Sequence, residues 1–148
     1  MASFKGTYVH QLDTKGRLAI PRKLRAQATE GGTLTVGTES CLTFYPAGLW
    51  RDTERELGAL DPLNPDARDT RRRVFGSAED VSFDRQGRIV IPVHLREYAG
   101  LTKEVIVLGV GNVIELWDAG EWRARSERLD RDAATIMRRA RPGVPLQT

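Results

Sequence analysis

Cysteine is nearly absent from this chain: Cys41 is the one thiol in 148 residues. A single thiol builds neither an intramolecular disulfide framework nor a cysteine zinc ribbon, and it suits a reducing cytoplasm. No apolar run approaches the ~18 residues of a membrane span. The opening Met-Ala-Ser-Phe-Lys-Gly leads toward a strand-like segment and not into a signal-peptide core. Histidine is scarce as well. His10 and His94 sit in unlike contexts without a Ser or Cys partner motif, so they are expected as packed or surface residues. A Walker loop, a dinucleotide fingerprint, a nucleophile elbow and a zinc-protease helix are all missing. The expectation is a chain with no enzymatic activity, no cofactor and no metal.

Lysine is rare beside arginine, 4 against 19, and the net charge is only +3. A balance that mild points weakly to a polyanionic partner. Arginine's planar fork suits phosphate, carboxylate and guanine. With 40% hydrophobic and 29% charged residues, the composition is that of a soluble globular protein.

What is present is a repeat. Residues 13–25 read D-T-K-G-R-L-A-I-P-R-K-L-R and residues 84–96 read D-R-Q-G-R-I-V-I-P-V-H-L-R. Asp13, Gly16, Arg17, Ile20, Pro21, Leu24 and Arg25 return as Asp84, Gly87, Arg88, Ile91, Pro92, Leu95 and Arg96, seven identities in thirteen positions at an offset of 71. With one residue inserted, Leu42, Phe44, Tyr45 and Trp50 align with Ile114, Leu116, Trp117 and Trp122. The chain is two copies of one module.

Each copy has the same grammar. Residues 7–12 alternate, with Tyr8, His10 and Leu12 on one face, which is strand period. Asp13 to Gly16 is a turn, and residues 17–20 resume as a strand. Pro21 suits the first turn of a helix, expected to run about two turns through Leu24 and Ala28 before Gly31-Gly32. Strands follow near 33–36 and 41–45, and near 104–108 and 112–117 in the second copy. The order is ββαββ. A module of about 45 residues buries too little apolar surface to stand alone. The expected fold is therefore mainly β with flanking helices: tandem ββαββ modules interleaved into one pseudo-twofold, double-split (swapped-hairpin) β-barrel. Module 1 is placed at 7–49, a helical connector at 50–77, module 2 at 78–121, and a C-terminal helix and flexible tail at 122–148.

The segment 47–76 reads as two helices broken at Asp61-Pro62-Leu63-Asn64-Pro65, with Leu49, Trp50, Leu57 and Leu60 as an apolar stripe. One continuous C-terminal helix is expected over about 119–140, with a disordered tail from Arg141. The Arg71-Arg72-Arg73 run has three readings: a solvated face, a partner for the acidic helix of Asp52, Glu54 and Glu56, or a DNA contact.

The Asp-x-x-Gly-Arg turn is the most informative local feature. Aspartate can cap the turn and hold the arginine four residues on, while glycine permits the reversal. Such a turn either staples the barrel or presents Lys15 and Arg17 to nucleic acid, where arginine reads guanine and lysine serves phosphate or guanine. Asp13 and Asp84 also raise a paired-carboxylate enzyme, but flanking basic residues favour fixed, ionised carboxylates over a general acid. Residues 1–29 carry a net +5 and residues 81–100 only +1, which makes the first module the better candidate for the main DNA face.

The segment G-T-Y-V-H-Q-L-D-T-K-G-R-L-A-I-P resembles the first module of the MraZ family of bacterial transcriptional regulators. N-P-D-A-R-D-T-R-R-R-V-F-G-S-A-E-D, Y-A-G-L-T-K-E-V-I-V-L-G and E-L-W-D are similar to later parts of the same family, from about residue 4 to about 125. The resemblance implies SpoVT/AbrB-like modules and regulation of the division and cell-wall gene cluster. It also implies binding to G-rich direct repeats in double-stranded promoter DNA by a homo-oligomeric ring, an octamer or larger. Localisation would be cytoplasmic and nucleoid-associated, with no membrane. By position it places Asp13, Lys15 and Arg17 at the first DNA-binding turn, with Asp84, Arg85 and Arg88 at the second. Thr14-Lys15 becomes Arg85-Gln86 in the second copy, so the two turns need not read bases alike. An AbrB-type antitoxin, binding DNA and a toxin, is the alternative.

Overall fold

The computed structural model describes residues 2–141. They belong to two compact units, Met1–Asp118 and Ala119–Thr148. The first is mainly β. Its strands are β1 (Thr7–Gln11), β2 (Arg17–Ala19), β3 (Gly32–Val36), β4 (Leu42–Pro46), β5 (Glu79–Val81), β6 (Arg88–Val90), β7 (Glu104–Gly109) and β8 (Ile114–Asp118). Its helices are α1 (Arg22–Arg25), α2 (Ala47–Gly58), α3 (Pro65–Ser77) and α4 (Val93–Ala99).

The modules are interleaved, as a repeat too small to fold alone requires. Six strands form one antiparallel sheet in the order β1-β7-β8-β4-β3-β5, and β2 pairs with β6 in a separate ribbon. Every first-hairpin strand thus finds its partner in the other module. β1 runs antiparallel to β7, β5 to β3, and β2 to β6. The six-stranded sheet does not close on itself, because β1 and β5 remain at its edges. Alternation along β1 survives intact: Tyr8 and His10 are half-buried while Thr7, Val9 and Gln11 are exposed.

The core draws the same positions from both copies. Leu18, Leu24 and Leu42 are fully buried beside Ile89, Leu95, Ile114 and Leu116. Burying such a side chain contributes ~1.5–3 kcal/mol each. Cys41 is buried next to β4. On α2, Trp50 is the buried residue, packed against Tyr45 and Phe75 with ring centroids 5.4 and 5.9 Å apart. Leu60 lies beyond the end of α2 and is exposed, so it takes no part in the expected stripe.

Two helices differ from expectation. α1 is a single turn and not two: after Arg25 the chain tightens, with Gln27 N–H donating to the Leu24 carbonyl and Ala28 N–H to that of Arg25. These three-residue bonds wind the chain more tightly than an α-helix. The expected continuous C-terminal helix is two, α5 (Ala119–Arg131) and α6 (Ala133–Ala140), interrupted where Asp132 leaves helical geometry at φ −106° and ψ 17°. The break before α3 is explained locally: the Asn64 side chain accepts from the N–H groups of Asp66 and Ala67, and Pro65 opens the helix. The expected disordered tail falls, from residue 142 onward, outside the described residues.

Candidate nucleic-acid interface

Both Asp-x-x-Gly-Arg segments form the same turn. In the first, one carboxylate oxygen of Asp13 accepts from the main-chain N–H of Lys15 at 2.9 Å and of Arg17 at 2.8 Å. The other accepts from Arg17 Nε at 2.6 Å. Main-chain bonds close the turn, from Gly16 N–H to the Asp13 carbonyl and from Asp13 N–H to the Arg17 carbonyl, both at 3.0 Å. In the second turn Asp84 accepts from Gln86 N–H, Arg88 N–H and Arg88 Nε, each at 2.9 Å. Gly16 and Gly87 lie at φ +79° and +74°, a region that other L-residues rarely adopt.

These bonds set the charge state of the aspartates. The main-chain N–H of Arg17 does most to hold Asp13 below the ordinary carboxylate range. Partial desolvation opposes it, and the Arg17 side chain and the Lys15 N–H reinforce it. Asp84 is lowered in the same way by Arg88 and Gln86. Both are therefore held as ionised carboxylates clamped to their own turns and do not suit a general-acid role.

The turns differ at two side chains, Thr14 against Arg85 and Lys15 against Gln86. Gln86 Oε1 accepts from Arg88 Nη2, so part of the Arg88 fork is used inside its own turn. The first turn has Lys15 at that place, which accepts nothing, and among the described residues neither terminal nitrogen of Arg17 has an acceptor. Lys15 and Arg85 are both exposed.

The ribbon brings the turns together. Arg17 pairs with Val90, Leu18 with Ile89 and Ala19 with Arg88. Leu18 and Ile89 are buried. By strand alternation Arg17, Ala19, Arg88 and Val90 share the opposite, outward face, and Val90 is 56% exposed there. Arg17 and Arg88 come from different modules yet stand two residues apart along one ribbon, about 7 Å. The sequence read them as two separate sites, because nothing local reveals that β2 pairs with β6.

The arginine run on α3 is occupied structurally and does not pair with the acidic side chains of α2. Arg71 donates to the main-chain carbonyls of Leu57 and Leu60, Arg72 to Asp69, and Arg73 to the Gly37 carbonyl and the Tyr98 hydroxyl. His94 is exposed and reaches the Ser77 carbonyl at 3.2 Å.

A profile of the family described as "MraZ protein, putative antitoxin-like" matches the chain twice, over residues 3–73 and 74–140. The chain belongs to the MraZ family. A curated MraZ relative from Thermomicrobium roseum, named a transcriptional regulator, is 44% identical over 92% of this chain and 96% of its own length. Another of that name, from Herpetosiphon aurantiacus, is 45% identical over 81% of this chain and 84% of its own. The two matched segments of the MraZ profile contain one turn each, Asp13–Arg17 and Asp84–Arg88.

Proposed function

We propose that this chain is a transcriptional regulator that binds double-stranded DNA sequence-specifically through the β2–β6 ribbon and its two flanking turns. The observation that carries the reading is the outward face shared by Arg17 and Arg88. A two-stranded ribbon fits the major groove, and an arginine fork there pairs with guanine O6 and N7. Arg17, with its terminal nitrogens unengaged among the described residues, is the principal reader. Lys15 serves phosphate or guanine, and Arg88 and Arg85 extend the contact. Asp13 and Asp84 touch no DNA in this reading and orient the arginines.

The modules at 7–49 and 78–121 supply the two halves of this surface. The target is G-rich direct repeats in the promoter of the division and cell-wall gene cluster, bound by a homo-oligomeric ring of eight or more subunits at the nucleoid. A ring makes later contacts intramolecular and raises avidity by ~10²–10⁴. Following it bends 20–30 bp of DNA at an elastic cost of about 1–6 kcal/mol. Among the described residues no helix is long and apolar enough to cross a membrane.

A footprint of the purified protein on the DNA upstream of its own gene tests the reading. Regularly spaced protected G-rich repeats are expected. A co-purifying small toxin would move the assignment to the antitoxin reading, and no protection even at low salt would overturn DNA binding in both readings.

A further inference from the structure

Two arginines outside the turns make matching contacts across the modules. Arg25, at the end of α1, donates through Nε to the Ile20 carbonyl at 2.8 Å, and Arg96, in α4, to the Ile91 carbonyl at 2.9 Å. Each guanidinium is thereby anchored to the strand end of its own module. It then covers the glycine of the other module's turn. A Cβ placed on Gly87 would lie 2.4, 2.5 and 2.8 Å from Cζ, Nε and Nη1 of Arg25. Distances so nearly equal put the face of the guanidinium over the glycine. A Cβ on Gly16 would lie 3.0 Å from Arg96 Cζ and 2.9 Å from the Ile91 carbonyl oxygen. The main chain repeats the exchange: Ile91 N–H donates to the Gly16 carbonyl at 2.8 Å and Ile20 N–H to that of Gly87 at 3.0 Å. Gly16 and Gly87 are consequently buried although Lys15 and Gln86 beside them are exposed.

We propose that Arg96 and Arg25 are the positioning residues of the two turns, each serving the turn of the opposite module. The aspartate clamp fixes a turn's internal shape, but all its partners lie within the turn, so it leaves the orientation of that turn on the barrel open. The glycine carbonyl bond and the guanidinium laid over the glycine supply that orientation. The task needs a planar group held by an Nε–H, which lysine lacks. It also alters how charge is apportioned: Arg25, counted with the first module in the sequence, stands against the second module's turn.

Hydrogen–deuterium exchange of the full-length, DNA-free protein tests the contact without assuming DNA binding. In Arg96→Ala and Arg96→Lys, amides of residues 14–17 should exchange on the order of tenfold faster, the effect of losing one charge-assisted hydrogen bond. Residues 85–88 should stay at the wild-type rate. Arg25→Lys should give the mirror result. Unchanged exchange, or equal acceleration of both turns, overturns the proposal. If Arg96→Ala does not fold, the lysine variant, which keeps charge and stem, decides alone. A second arm rests on the proposed DNA reading and uses the footprinted promoter fragment. Arg96→Lys should bind as weakly as Arg96→Ala, and the Arg17→Ala, Arg96→Ala double variant should lose less than the sum of the two single losses. Rescue by lysine, or additive losses, makes Arg96 a direct phosphate contact and overturns the positioning role. If no DNA binds, the DNA reading fails and the exchange arm still stands.

Discussion

The two turns share one scaffold and differ in what that scaffold leaves available. Asp13 and Asp84 accept the same three hydrogen bonds at nearly the same distances. The divergence that reaches the arginine is at the third position, where Lys15 is replaced by Gln86, whose amide oxygen takes a bond from Arg88. A duplicated turn can thus keep its geometry while one substitution partly occupies its arginine. The lesson is that the backbone of the turn and the availability of its guanidinium are set by different residues.

The largest expected effect breaks the comparison at its stronger side. On the proposed DNA reading, Arg17→Ala should lower promoter affinity about 5- to 150-fold in a gel shift, from ~1–3 kcal/mol per guanine contact, with the oligomer size unchanged. Arg88→Ala should cost less, about threefold, because part of its fork is already engaged. Gln86→Lys should narrow the gap by releasing Arg88. An equal or larger loss for Arg88→Ala reverses the ranking of the turns.

Next come the glycines. Alanine at either position meets a positive φ, costing ~1–2 kcal/mol. At Gly16 it also meets the Ile91 carbonyl, which belongs to the main chain, whereas at Gly87 its nearest neighbour is the Arg25 side chain. Chemical denaturation should therefore show Gly16→Ala as the more destabilised variant. Equal midpoints would mean that the first turn can shift on the barrel.

The smallest effect concerns pH, and here the turns should behave alike. Both aspartates are lowered in the folded state. Such a group contributes stability that is complete above its unfolded pKa and is lost as pH falls through the folded one. The difference in melting temperature between wild type and the Asp13→Asn, Asp84→Asn double variant should be flat from pH 8 to 5. It should shrink only below about pH 4. A change above pH 5 would implicate groups other than these two aspartates.

Much of this was legible because it is local. The turn's partners lie within five consecutive residues, from Asp13 to Arg17, so spacing alone reveals the clamp. Pro65 and Asn64 announce α3 in the same way. The helical break at Asp132 was not legible, since the hydrophobic spacing on either side continues through it. The arginine run on α3 was equally ambiguous: its partners are mostly carbonyls from distant segments, and a carbonyl leaves no mark in a sequence.

Sequence by itself determined the duplication, the strand period, both Asp-x-x-Gly-Arg turns and core positions such as Leu18, Ile20 and Leu24. Those features depend on short-range spacing and on apolar content. Only the tertiary structure decided which strands pair. The two modules present chemically similar edges, so pairing within a copy and between copies satisfy the same local pattern. Exchange wins because it buries both small cores as one. That exchange puts Arg17 and Arg88 on one face and lays Arg25 and Arg96 over each other's turns.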